Sequence, residues 1–117
     1  ITHCNLARQS KETASFELTE SRARIEAALQ RPVHHLAYPY GDRIAAGPRE
    51  FKLAKAAGFK TAVTTRPGMI FPESADHLTA LQRVSLNGNY QDARMIPVLT
   101  SGTATAVWNG FRRIDAA

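Results

Sequence analysis

Two short apolar runs constrain the fold of this chain more than any other feature. Val33 to Tyr38 and Phe59 to Thr65 are strand-like, the second rich in β-branched residues, and a helical stretch lies between them. That stretch carries its own punctuation. Pro48 suits a first helical position, Phe51, Leu53, Ala54 and Ala57 supply an apolar face, and Gly58 suits the left-handed position past the last turn. With short connections, the order strand, helix, strand, helix, strand predicts parallel βαβ units, hence an α/β fold.

The flanking segments extend this pattern. Ser10 is placed to cap a helix running from about Lys11 to Gln30, closed by Pro32. Phe16, Ile25, Ala28 and Leu29, joined by Ala14, Leu18 and Ala27, recur with a helical period and predict its buried face. Glu20 with Arg24 and Arg22 with Glu26 have the spacing of surface ion pairs. From Arg66 to Gln82 periodicity is lost, and Pro67-Gly68 and Pro72 mark a long loop. Arg83 to Leu86 reads as a last short strand, stopped by Asn87-Gly88-Asn89. Asp92 to Leu99 and Ala104 to Phe111 read as helices separated by Ser101-Gly102, with Pro97 either kinking the first or sitting in its opening turn.

A chain of 117 residues fits one domain with a modest core, and 44% hydrophobic with 21% charged residues is ordinary globular composition. Fifteen basic against ten acidic side chains give a net charge of +5. The basic residues are scattered, with only Arg112-Arg113 adjacent, so the expectation is a solvated surface rather than a nucleic-acid groove. No apolar run approaches the length of a membrane span. The one cysteine, Cys4, excludes an internal disulfide and a multi-cysteine zinc site.

Four motifs carry chemistry. Thr2-His3-Cys4-Asn5-Leu6 opens the chain, Ser21-Arg22-x-x-Ile25-Glu26 ends the first helix, Ala37-Tyr38-Pro39-Tyr40-Gly41 follows the first strand, and Ala57-Gly58-Phe59 precedes the second. In that order, from Ile1 to about Asn87, they resemble the polysaccharide deacetylases, carbohydrate esterase family 4 or the NodB-homology domain. The resemblance implies the C-terminal part of a distorted (β/α) barrel. It also implies, for the full-length protein, a divalent metal, expected to be zinc, held by one aspartate and two histidines and bound weakly or not at all by this chain alone.

By that resemblance His3 is the second metal-binding histidine of an H-x-x-x-H pattern. Its partner, and the Asp-Asp pair that supplies the catalytic base and a metal ligand, would precede Ile1. Ile1-Thr2-His3 itself reads as the end of a strand, so the chain is expected to be part of a longer protein and inactive alone. The turn after the first strand has a clear physical logic. Pro39 lacks an N–H and fixes its φ, and Gly41 permits a sharp bend, so the Tyr40 amide between them can be held toward a cleft. The resemblance makes that amide the oxyanion donor and Tyr38, Pro39 and Tyr40 the substrate-contacting residues. At the C-terminal end of a barrel strand, this is where active sites are built.

Two departures stand out. Ala37 occupies a position where many members carry an arginine that orients the base, and Arg83-Val84-Ser85-Leu86-Asn87 lacks the histidine of the later Leu-x-His motif. His77, beside Asp76, is either a substitute general acid or a loop histidine. His34 and His35 are adjacent on a strand, point to opposite faces and cannot share one ion. Cys4 reads as a small buried residue rather than a soft ligand.

The resemblance thus implies metal-dependent removal of N- or O-acetyl groups from a polysaccharide or oligosaccharide, in a bacterial cell envelope or another extracytoplasmic setting. The alternative is a non-catalytic carbohydrate-binding or interaction module on the same fold. A partial barrel also exposes strand edges, so a homo-oligomer or a covering N-terminal segment is expected.

Overall fold

The structure, a computed structural model, describes residues 1–86, 88, 92–113 and 116. Three strands, β1 (His35–Ala37), β2 (Thr61–Pro67) and β3 (Leu81–Arg83), form a parallel sheet in the order β1-β2-β3. The parallel pairing around the helix at Pro48–Ala56 is the one the strand-helix-strand pattern predicts, but Ile1 to His3, expected to end a strand, lies outside the sheet, and β2 and β3 are joined by a 3-10 turn rather than an α-helix. The strand limits differ from the sequence reading. Val33 and His34 precede β1, β2 continues through Pro67, and β3 begins two residues before Arg83. Part of the expected 66–82 loop is therefore ordered, as the end of β2, a 3-10 turn at Pro72–His77 and the start of β3.

Helix α1 (Lys11–Leu29) starts where its cap dictates, with the Ser10 hydroxyl accepting from the Thr13 amide at 3.1 Å. It ends at Gln30, which takes a left-handed conformation (φ 52°) two residues before Pro32. Its buried face departs from the expectation. Ala14, Glu17 and Leu18 are buried, whereas Phe16, Ile25 and Leu29 are exposed. Two positions from both Ala14 and Leu18, Phe16 falls on the opposite side of the helix. Both expected ion pairs form, Arg24 Nε to Glu20 at 2.8 Å and Arg22 Nε to Glu26 at 2.9 Å.

Helix α2 (Pro48–Ala56) crosses between β1 and β2, with Pro48 in its first position and Glu50 Oε2 accepting from the Gly47 amide. Gly58, at φ 84°, makes the turn into β2. Two short helices, α3 (Met95–Thr100) and α4 (Thr103–Trp108), follow β3, and Pro97 lies in the opening turn of α3 where its missing N–H has no helical acceptor to lose. The expected stop at Asn87 and Asn89 lies outside the described residues.

The core gathers Leu6, Leu18, Tyr38, Phe51, Leu53 and Phe59 around small residues, Ala14, Ala54 and Ala62, that let α1, α2 and the sheet approach closely. Arg22 and Glu26 fix the overhanging half of α1. Glu26 Oε1 accepts from the Val33 amide at 2.8 Å and Arg22 Nη1 donates to the Ala57 carbonyl at 2.6 Å, so one ion pair anchors the segments that lead into β1 and β2. These bonds hold the Glu26 carboxyl below its ordinary pKa, the Val33 amide contributing most. The Ser21-to-Glu26 motif is thus a scaffold.

Candidate functional site

In a parallel sheet the residues that follow the strands share one end, and β1 leads directly into Tyr38-Pro39-Tyr40-Gly41. The Gly41 amide donates back to the Pro39 carbonyl at 2.7 Å, closing a three-residue turn with Tyr40 at its apex. Tyr40 has φ 61°, a region non-glycine residues avoid. Thr65 of β2 clamps the turn from below. Its hydroxyl donates to the Tyr40 carbonyl at 2.7 Å and its amide to the Gly41 carbonyl at 2.9 Å. The Tyr40 N–H has no protein acceptor among the described residues. Pro39 has no N–H and that of Gly41 is consumed within the turn, so Tyr40 supplies the turn's one unengaged backbone donor.

His3 is the neighbour of this turn. Its ring lies 5.4 Å from that of Tyr40, tilted by 60°, although 37 positions separate the two in sequence. It too has a positive φ, 55°. The segment around it is tied down on both sides. Glu17 Oε2 accepts from the Ile1 ammonium at 2.8 Å and the Thr2 amide at 2.9 Å, and Oε1 accepts from the Thr2 hydroxyl at 3.0 Å. These bonds, the ammonium's foremost, depress the Glu17 pKa to about 2 against the opposing effect of burial. Beyond His3, Asn5 Nδ2 donates to the Ile44 carbonyl and the Ala7 amide to that of Ala45, both at 3.3 Å. Glu17 therefore positions the His3 segment, which helical periodicity did not signal.

The other predicted site residues separate. The Tyr38 side chain is buried rather than open to a ligand: it is 4% exposed, its ring packs 5.6 Å from Phe51, and its hydroxyl donates to the Thr79 carbonyl at 2.7 Å. Strand alternation explains this orientation, since Tyr38 follows Leu36 on the face that packs on the core. Burial raises its pKa further. Pro39 is half-buried and contributes its carbonyl to the turn. His77 precedes β3 and so lies at the end of the sheet opposite Tyr40, in a cleft walled by α2. His34 precedes β1 and His35 opens it; their rings lie 6.2 Å apart at 80°, and His35 Nδ1 pairs with the hydroxyl of Thr61, at the start of β2, at 2.8 Å. Cys4 packs half-buried against the core.

Sequence spacing also gave no sign of Arg66. Its guanidinium lies 5.5 Å over the Phe51 ring and donates to the carbonyls of Ala116 and Ala46, supporting the Asp42-to-Ala46 loop behind the turn. Burial, helped by nearby Arg43, lowers its pKa, while Asp42 opposes that shift. Asp42 Oδ1 accepts from the Ile44 amide at 2.9 Å and so helps shape the same loop. Past Thr65, a groove of about 650 Å³ runs between the ends of β2 and β3 and the short helices, lined by Pro67, Arg83, Val98, Leu99 and the exposed Trp108.

Among the described residues no three His, Cys, Asp or Glu side chains are grouped to hold an ion, and His3 meets an aromatic ring. One imidazole does not make a tight site. The turn can offer a preset backbone N–H to a carbonyl or oxyanion beside an imidazole. No protein-family model, curated protein or solved structure matches this chain.

Proposed function

We propose that this chain forms the carbonyl-binding part of a deacetylase acting on an N- or O-acetylated polysaccharide or oligosaccharide. On this reading the sheet is the C-terminal part of a distorted (β/α) barrel. The single observation that supports it best is the meeting of His3 and Tyr40, two positive-φ residues from distant motifs, beside an unengaged Tyr40 amide. Strained backbone of this kind persists where surrounding contacts hold it, and it concentrates at functional sites.

The part played by the chain's own residues follows from charge. As an acetyl carbonyl is attacked, negative charge grows on its oxygen, and the Tyr40 N–H donates to it. A donor already aimed by the Thr65 clamp needs no reorganisation at that moment, and such donors contribute about 3 kcal/mol in comparable sites. Pro39 and the Tyr40 ring flank the reacting group, and His3 borders it. The proton acceptor for the attacking water, and the donors that complete a metal site with His3, are assigned to sequence outside this chain. The chain alone is accordingly expected to bind and not to hydrolyse.

The test uses ¹⁵N-labelled chain titrated with an N-acetylglucosamine oligomer, followed by an assay for released acetate. A shift concentrated at the Tyr40 amide, with no acetate released, is the expected result. Binding that leaves this amide unmoved, or metal-dependent acetate release by the chain alone, would sink the proposal. A carbohydrate-binding role without catalysis is the second reading, in which the Tyr40 amide and the His3 ring serve binding alone. It requires that the longer protein also release no acetate.

A further inference from the structure

The opposite end of the sheet carries a second concave surface. A cleft of about 390 Å³ is bounded on one side by α2 and on the other by residues 75–80, with Lys60 at the approach to β2. Pro48, Phe51, Lys52 and Lys55 share one stripe of α2, at the spacing i, i+3, i+4, i+7 that aligns side chains on a helix. Lys52 and Lys55 therefore project on the same side, and the turn through Gly58 brings Lys60 to join them. Three ammonium groups line one cleft.

None of the three is in an ion pair among the described residues. The acidic groups of α2 and its surroundings are engaged elsewhere: Glu50 pairs with Arg49 at 2.6 Å and receives the Gly47 amide. Among the described residues Asp76 is the one carboxylate lining the cleft, against three lysines. The last carbonyls of α2, which would repel an anion, are already bonded: Leu53, Ala54 and Lys55 accept from the amides of Ala57, Phe59 and Gly58. Pro48, Leu78 and Ala80 give the cleft an apolar wall.

We propose that this cleft binds a small phosphate-bearing molecule, its anionic group held by Lys52, Lys55 and Lys60 and its body resting on the Pro48–Leu78 wall. Clustered ammonium groups repel one another, and a polyanion converts that repulsion into attraction. Lysine suits this task as a mobile point charge for phosphate. The site is independent of the deacetylase reading, since it shares no residue with the Tyr40 turn.

Inorganic pyrophosphate is the probe, titrated into ¹⁵N-labelled chain at low salt. Saturable shifts at residues 52–60 and 75–80, with Tyr40 unmoved, are expected. Replacing Lys52, Lys55 and Lys60 together by Gln should weaken binding roughly tenfold or more, since each exposed charge pair is worth up to a few-fold. These side chains are exposed, and an unchanged amide spectrum elsewhere verifies that the variant folds. A charge-matched control, Arg8→Gln with Arg24→Gln and Arg31→Gln, should bind as the unaltered chain does. Absence of saturable binding, or equal weakening in the control, would overturn the proposal.

Discussion

Replacing Gly41 by alanine tests the architecture of the turn with a magnitude the structure supplies. Gly41 sits at φ 67°, and a β-carbon built there lies 2.8 Å from the Thr65 amide nitrogen and 3.2 Å from its methyl group. The left-handed conformation alone costs an alanine about 1 kcal/mol. The steric contact cannot be relieved by a side-chain rotation, because the obstructing atom is backbone in β2. Separating turn from strand disrupts the bonds from the Thr65 amide and hydroxyl, each worth about 1 kcal/mol. The expected total is about 3 kcal/mol, a large share of the stability of a domain this size and about a 10 °C fall in Tm. Thermal unfolding followed by circular dichroism measures it. Gly110→Ala provides the reference, since Gly110 has φ 59° but nothing within 4 Å of the added β-carbon, and should lose only the conformational part. Equal losses in the two variants would refute the claim that Thr65 braces the turn.

Three further expectations follow from buried or shared polar groups. Glu17 has a folded-state pKa of about 2 against an ordinary 4.5, so its stabilising contribution is present above pH 4.5 and is lost as pH falls toward 2. Glu17→Gln should flatten stability in that window, measured by urea unfolding at stepped pH; an unchanged slope would contradict the linkage. Tyr38→Phe leaves the Thr79 carbonyl without its buried donor and should cost about 1–2 kcal/mol in the same assay, with no effect there counting against the hydrogen bond. Arg22→Ala removes the contacts to Glu26 and Ala57 and should cost about 1–2 kcal/mol while speeding hydrogen exchange at Val33. Exchange that stays slow at Val33 would show that its bond to Glu26 does not depend on Arg22.

The α/β order was legible because it rests on local chemistry. Ser10, Pro48 and Gly58 act where they stand, and the strand-helix-strand order leaves few topologies. Burial was less legible. The apolar residues of α1 divide between two faces, and only tertiary contact decides that Ala14 and Leu18 go inside while Phe16 does not. Tyr38 shows the same limit at the site. Its place in a motif suggested a ligand contact, but strand alternation keeps Tyr38 on the inward face of Leu36, against Phe51, and only the turn, with Tyr40 at φ 61°, carries the next tyrosine outward. The cationic cleft was hidden for a different reason: Lys52, Lys55 and Lys60 are never adjacent in sequence, and a helix followed by a glycine turn is needed to collect them.

His3 and Tyr40, two of the four non-glycine residues with positive φ among the described residues, join these threads. Each costs on the order of 1 kcal/mol, so a small domain keeps them only where neighbouring contacts leave no cheaper path. At Tyr40 that constraint comes from Thr65 below and the Gly41 amide within the turn. At His3 it comes from Glu17 on one side and the Asn5–Ile44 contact on the other. These constraints come from different elements, α1, β2 and the loop after the turn, and converge on one pair of rings. Independent anchoring of both beside an unengaged N–H is the arrangement expected if the fold holds that donor ready for a ligand, and it gives the tests on Gly41 and the Tyr40 amide a common physical basis.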